Sequence, residues 1–274
     1  MKKLPVTVVI PVRNEELNLP ACFESLGGSF EKVLVVDSHS TDRTCETAGQ
    51  AGAEVLQFDW DGTYPKKRNW TLEQFDFQTE WVLFLDADER ITPAFLDELR
   101  RILPDTPHAG FRVSYNNWFM DRRLRHGDVF TKLPLFRVGA GAYEAFPENG
   151  WSRLDMEVHE HPVLQGTVGN IHARLEHHDF RSMEHYLKKH EEYAGWEANR
   201  FRWLKSTGQA EWERLTARQR LKYRMLNKPG LGLIYFAAAY FLKLGFLDGR
   251  AGFELARAKC RYFNRIRSLI RSGR

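Results

Sequence analysis

The chain has 274 residues, 43% hydrophobic and 28% charged, with no low-complexity tract or internal repeat, which excludes a disordered or fibrous protein and allows one large domain or two small ones. Three cysteines, Cys22, Cys45 and Cys260, are odd in number and lack metal or redox spacing, so free thiols in a reducing cytosol are expected. The net charge of +4 conceals an asymmetry: residues 200–274 carry 18 Lys and Arg against 4 Asp and Glu, a basic tail suited to a polyanion, either nucleic acid or an anionic membrane.

After Lys2 and Lys3 the first apolar stretch is broken by Pro5 and ended by Arg13, unlike a secretory signal. Residues 7–11 are a short β-branched run suited to a buried strand. Asn18 is placed to cap a helix whose apolar positions Leu19, Cys22, Phe23 and Leu26 share one face, stopped by Gly27 and Gly28. A second strand, 33–36, ends in Asp37. Ser40, Thr41 and Asp42 offer caps for a helix ending near Gly52, and a third strand follows at 55–58. A helix is predicted over 67–75 and a fourth strand over 81–85. Thr92 then caps a helix with Pro93 in its first turn and Phe95, Leu96, Leu99, Ile102 and Leu103 on one face. Strands alternating with helices predict a mostly parallel sheet of βαβ units flanked by helices. Ligands bind such sheets beyond the carboxyl ends of the strands. Asn14 with Glu15, Asp37, and Asp86 with Asp88 all fall at those ends.

From residue 106 the pattern is irregular and rich in aromatic residues, Arg and His. Short strands are predicted near 110–115 and 133–137, and a helix begins near Ser182, with Lys, Arg, Trp196, Trp203 and Trp212 after it. No linker is evident, so the expected division is 1–105, 106–199 and a helical, basic 200–274. Residues 231–242 are apolar, but even extended to Leu247 the run falls short of the roughly 20 residues a spanning helix needs. Core, interfacial and re-entrant helices all stay open for it. Residues 253–270 place Leu255, Tyr262, Phe263, Ile266, Leu269 and Ile270 broadly on one face, with Arg257, Arg261 and Arg265 opposite and Lys259 interrupting the apolar side.

The run from Trp81 to Arg90 carries the strongest chemistry. Asp86 and Asp88, at i and i+2 after an apolar strand, aim the same way if strand geometry persists. Two like charges so placed need a cation or a hydrogen-bond network to offset their repulsion. Hard oxygen ligands suit Mg²⁺ or Mn²⁺, which in turn bind phosphate oxygens. The plain alternative is a solvated acidic turn before the next helix.

Three segments carry a resemblance: residues 9–16 (VIPVRNEE), 35–44 (VVDSHSTDRT) and 84–89 (FLDADE). In order and spacing they resemble the family 2 glycosyltransferases with a GT-A fold, over about residues 5–105. Residues 134–137, the Val158-His159-Glu160 triplet, 166–169, His177 and 245–249 look like the branch that includes bacterial glucosyltransferases of the lipopolysaccharide inner core and related surface polysaccharides. The resemblance implies an inverting hexosyltransferase that uses a nucleotide-sugar, with UDP expected, and Mg²⁺ or Mn²⁺. Its acceptor would be a glycan or lipid-linked glycan at the cytoplasmic face of the cell membrane, with an anionic membrane surface as partner and no nucleic acid. It implies that Asp37 binds the base and that Pro11, Asn14 and Glu15 line the same pocket. Lys67 or Arg68 would meet base or diphosphate, Asp86 the ribose or metal, and Asp88 the metal. Glu160 would be the catalytic carboxylate, and His177 would complete the metal site.

The chemistry asks for the same parts. Attack of an acceptor hydroxyl needs a base, and the departing diphosphate needs positive charge. Glu157, and less so Asp155, are rivals to Glu160, while Lys67 and Arg68 could equally be a solvated helix start. The histidines from His159 to His190 show no helical zinc motif. Other functions fit less. An aspartyl-nucleophile phosphatase would carry its acid pair on the first strand, and a nucleotidyltransferase would have a Gly-rich loop after it. A non-enzymatic polyanion-binding module would leave Asp37, Asp86 and Asp88 without a purpose.

Overall fold

The structure, a computed structural model, describes residues 2–127, 129–145, 148, 151–152, 154–157 and 160–272. It divides into two compact units, one of Met1–Asn117 with Val129–His178 and one of Trp118–Asp128 with Asp179–Arg274. This division differs from boundaries near 105 and 200. The strands at 130–137 and 168–177 join the first sheet, so the helical region starts earlier than the charge shift suggests.

The first unit begins with β1 (Leu4–Val12), α1 (Leu19–Leu26), β2 (Phe30–Asp37), α2 (Thr44–Gln50), β3 (Glu54–Gln57), α3 (Lys67–Gln74) and β4 (Trp81–Phe84). It continues through β5 (Glu89–Arg90), α4 (Pro93–Ile102) and β6 (Gly110–Phe119), whose last residues pass into the second unit and pair there with β7 (Arg122–Arg123). Then come β8 (Phe130–Arg137), β9 (Gly141–Tyr143), β10 (Pro162–Leu164) and β11 (Val168–His177). Among the described residues the main sheet runs β3-β2-β1-β4-β8-β6-β11-β5. The β3-β2-β1-β4 half is parallel as expected. Beyond it, β8 lies antiparallel to both β4 and β6, while β11 runs parallel to β6. The result is mixed α/β with a central, mostly parallel sheet and flanking helices.

Strand β1 is apolar on both faces because both faces are covered. Val6, Val8, Ile10 and Val12 join Phe95 and Leu99 of α4 in one core, while Val9 packs on the other side with Leu34, Val36, Val82 and Phe84. Helix α1 ends at Gly27, where φ is +54°. Its start departs from expectation: the Asn18 side chain makes no cap bond and donates to Glu15 Oε2 instead, at 2.8 Å. Helix α4 is capped as predicted, Thr92 Oγ1 accepting from the Phe95 amide at 3.3 Å.

Helix α4 also sets β11. Pairing between β6 and β11 slips between Ile171 and Leu175. In that irregularity the amides of His172 and Ala173 donate to the Glu98 carboxylate, at 3.1 and 2.8 Å. The bulge fixes where β11 ends, and that end is His177.

The second unit is helical: α5 (Met183–Ser206), α6 (Gln209–Arg214), α7 (Ala217–Met225), α8 (Leu231–Ala237), a π-turn (Ala238–Leu242), a 3-10 turn (Gly245–Asp248) and α9 (Gly249–Ser272). Ser182 caps α5, and Thr216 with Gln219 forms a capping box on α7. Among the described residues no single helix is long and apolar enough to cross a membrane. The cysteines are free thiols.

Candidate active site

The carboxyl ends of β1, β2 and β4 lie side by side, Val12 paired with Asp37 and Val9 with Phe84. The loops beyond β1 and β2 are laced together. The Asn14 amide donates to Ser40 Oγ, Asn14 Oδ1 accepts from the Thr41 amide, and the Glu15 amide donates to Thr44 Oγ1, all at 2.8 Å. Asn14 holds φ +57°, a left-handed conformation that asparagine tolerates better than most residues. Pro11 is buried, Glu15 half-buried and Asn14 exposed at this rim.

Asp37 is fully buried. Its carboxylate accepts the Ser40 amide at 3.0 Å, the Ser40 hydroxyl, and the Cys45 thiol at 3.1 Å. Burial pushes its pKa up, but these hydrogen bonds outweigh burial and hold it below the usual carboxylate value.

Lys67 and Arg68 open α3 as buried side chains. Lys67 Nζ donates to the Val12 carbonyl at 2.8 Å and sits 3.2 Å from Asp155. Burial lowers its pKa against the pull of Asp155. Arg68 reaches Asp86 at 2.6 Å and also donates to the Glu157 carbonyl, while its Nε has no partner. Glu157 is spent on the same helix, its carboxylate accepting the Arg68 and Asn69 amides at 2.9 and 3.0 Å. It is an N-terminal cap supplied from almost ninety residues away, aligned with the helix dipole.

Strand β4 stops at Phe84, and Ala87 and Asp88 form a turn, so the strand geometry that would aim Asp86 and Asp88 alike does not persist. Asp86 lies between two cations, Arg68 and Lys132, the latter at 2.5 Å. Burial opposes its charge, but Lys132 and Arg68 hold it well below the usual range. Lys132 also meets the fully buried Glu89 at 2.6 Å. Both oxygens of Asp86 are therefore engaged by cations.

Asp88 is different. Its Oδ1 is buried without a hydrogen-bond partner and faces His177 Nε2 at 3.7 Å. Strand β5 brings this about, because Glu89 pairs with His177 and the His178 amide donates to the Asp88 carbonyl at 2.8 Å. The other ring nitrogen, Nδ1, lies 3.2 Å from Asn117 Oδ1, and Phe130 stacks on the ring. An orphaned carboxylate oxygen opposite an imidazole nitrogen whose partner nitrogen is already held is a donor pair that fits a divalent ion.

Glu160 is buried beside Lys66, at 3.0 Å, and Lys66 also meets Glu148 at 2.5 Å. Val158 and His159, the rest of that triplet, lie outside the described residues. Lys132, Lys66 and Asn117 carry no motif in the sequence. Only the need for counter-charges around several acids could have pointed to the two lysines.

The family model described as "Glycosyl transferase family 2" matches residues 7–148. Over 266 residues the chain is 30% identical to the lipopolysaccharide core biosynthesis glycosyltransferase LpsC of Rhizobium meliloti (strain 1021), covering 92% of this chain and 86% of that protein. A 58-residue stretch is 41% identical to 4,4'-diaponeurosporenoate glycosyltransferase of Staphylococcus haemolyticus (strain JCSC1435), covering 20% of this chain and 16% of the relative. Glucosyl-3-phosphoglycerate synthase from Mycobacterium tuberculosis, solved with Mn²⁺, UDP and glucosyl-3-phosphoglycerate, is similar at 24% identity and a TM-score of 0.34, covering 41% of this chain and 44% of that one.

Proposed function

The chain belongs to glycosyl transferase family 2, and on that premise we propose that it moves a hexose from a UDP-sugar, with inversion, onto a hydroxyl of a lipopolysaccharide-core or related surface glycan. The observation that carries the reading is the Asp88–His177 pair, set at the sheet edge where Asp37 and the Asn14 loop also stand. The similarity to LpsC over most of both chains supports the acceptor class.

Asp37 would hold the uracil base, with Pro11, Asn14 and Glu15 lining that pocket. Asp88 and His177 would hold Mg²⁺ or Mn²⁺, which when bound supplies positive charge to the departing diphosphate. Asp86, locked between Arg68 and Lys132, would face the ribose side. Arg68, with an Nε unused by the protein, and Lys67 frame the same edge. Glu160 would take the proton of the attacking acceptor hydroxyl. The bonds of the Glu157 carboxylate to the start of α3 favour Glu160 over Glu157 for that role. The basic C-terminal region would keep the enzyme on the anionic cytoplasmic face of the membrane, where a lipid-linked acceptor resides.

The test is a nucleotide-release screen with UDP-, GDP- and ADP-sugars, with Mg²⁺, Mn²⁺ or EDTA, on acceptor-bearing membranes. Release of UDP that EDTA abolishes is expected. No release from any donor overturns the reading.

A further inference from the structure

The amphipathic pattern of residues 253–270 would allow the last helix to turn its apolar face to lipid. The structure uses that face inside the second unit. Phe263 and Ile266 of α9 are buried with Ala194, Ala198, Phe201 and Leu204 of α5. Most of the large apolar side chains left exposed in this unit, Leu221 and Phe253 apart, lie in the hairpin before α9: Leu233 is 66% exposed, Phe241 58%, Leu242 82% and Leu247 51%. Soluble surfaces seldom expose so many large apolar side chains together, and such a patch marks a partner.

The hairpin is a built device rather than a frayed segment. A Cβ at Gly232 would come within 2.6 Å of the Cys260 carbonyl oxygen, so α8 lies directly against α9. A Cβ at Gly252 would stand 1.9 Å from the Gly245 carbonyl oxygen, which sets the turn equally close. The buried Asp248 accepts the Arg125 and His126 amides at 3.1 and 2.9 Å, and the Gly127 amide donates to the Lys243 carbonyl at 3.0 Å. The backbone therefore holds the apolar side chains outward.

Charge identifies the partner. Residues 228–271 contain nine Lys and Arg against two acids. Of the acids, Asp248 is buried and Glu254 is paired with Arg257 at 2.7 Å. Lys228, Lys243 and Arg250 are exposed, before, within and after the apolar segment in sequence. An exposed apolar segment flanked and interrupted by cations matches the acyl chains and phosphates of an anionic bilayer and fits poorly with a neutral protein groove. Length and bend set the depth. The stretch Leu231–Leu242 is about 18 Å long against a hydrocarbon core of about 30 Å, and α9 leaves it at 74°.

We infer that residues 233–247 are a wedge that enters one leaflet of an anionic membrane, with Lys228, Lys243 and Arg250 at phosphate level. This deepens the membrane attachment proposed above by assigning it to the hairpin instead of the basic face of α9.

The experiment is sedimentation of the full chain with phosphatidylcholine vesicles containing phosphatidylglycerol, across a salt series, comparing wild type with Leu242→Glu and Leu233→Glu. Both positions are exposed, so circular dichroism should be unchanged. Each variant is expected to lose about tenfold or more in vesicle partitioning, and wild type should keep part of its binding at high salt. Binding by the variants equal to wild type overturns the wedge, as does complete release of wild type by salt. So does a wild-type dimer that Leu242→Glu converts to monomer, since a second copy would then cover the patch. UDP release in detergent should be the same in wild type and variants. Failure of the wedge thus leaves the transferase reading standing, and failure of the transferase reading leaves vesicle binding unchanged.

Discussion

Asp88 and His177 are 89 residues apart in sequence, yet Asp88 Oδ1 faces His177 Nε2 at 3.7 Å with no hydrogen bond to occupy it. Asp88→Ala is expected to remove turnover and weaken metal-dependent UDP binding, with circular dichroism unchanged. Asn117→Ala, which frees the far nitrogen of the ring, should weaken metal affinity by roughly 10–100-fold. Isothermal titration with Mn²⁺ and UDP checks both. Full activity of Asp88→Ala, or of wild type in excess EDTA, refutes the assignment.

Glu160 and Glu157 separate by what each substitution harms. Glu160→Gln should lower transfer to acceptor by roughly 10²–10⁴-fold while donor still binds. Glu157→Gln leaves one of the Arg68 and Asn69 amides without its acceptor oxygen, which should cost about 1–3 kcal/mol of stability in urea unfolding. If Glu157→Gln abolishes transfer at wild-type stability, the two roles have been exchanged.

Lys132 neutralises Asp86 and Glu89 together. Lys132→Met would leave a buried Glu89 without its cation and Asp86 with Arg68 alone. A loss of about 3–5 kcal/mol in denaturant unfolding is expected. A loss below about 1 kcal/mol would mean that the lysine is an ordinary surface contact.

Asp37 gives a pH signature. Its folded pKa lies below the usual 3.8, so its contribution to stability is full above that value and is lost as pH falls through the folded pKa. Ser40→Ala removes one hydroxyl donor, lets the folded value rise, and should cost about 1 kcal/mol at neutral pH. The gap in melting temperature between wild type and Ser40→Ala should narrow as pH drops below about 4. A gap that widens in acid contradicts the hydrogen-bond assignment.

The parallel half of the sheet was legible because its signals are local. Apolar runs, the Gly27 stop and the Thr92-Pro93 start each depend on neighbours in sequence. The placing of Asn14, Asp37 and Asp88 at strand ends followed from that order. What was not legible depends on distant partners. The different partners of Asp86 and Asp88 lie beyond the end of β4 at Phe84, and Lys132 arrives on an antiparallel strand that no motif announces. The capping of α3 by Glu157 joins segments nearly ninety residues apart, so its acid looked like a candidate base. Asn18 has a cap residue's identity, but a closer carboxylate, Glu15, takes its side chain. The last helix has the periodicity of a membrane-surface element, and only packing against α5 reveals that its apolar face is already used.

The two-residue strand β5 has a consequence for the order in which the enzyme becomes competent as it is made. Asp88 leaves the ribosome early, but the histidine proposed to complete its site follows about 90 residues later, or roughly 5–20 s at about 5–20 residues per second. Until β11 has docked on β5, a nascent chain holds a half-built nucleotide sheet with an unmatched acid at its edge. A chain arrested before Val168 should therefore retain the parallel β1–β4 half yet lack the divalent-ion affinity proposed for the finished protein, and metal capture would then mark the end of folding of this unit rather than its beginning.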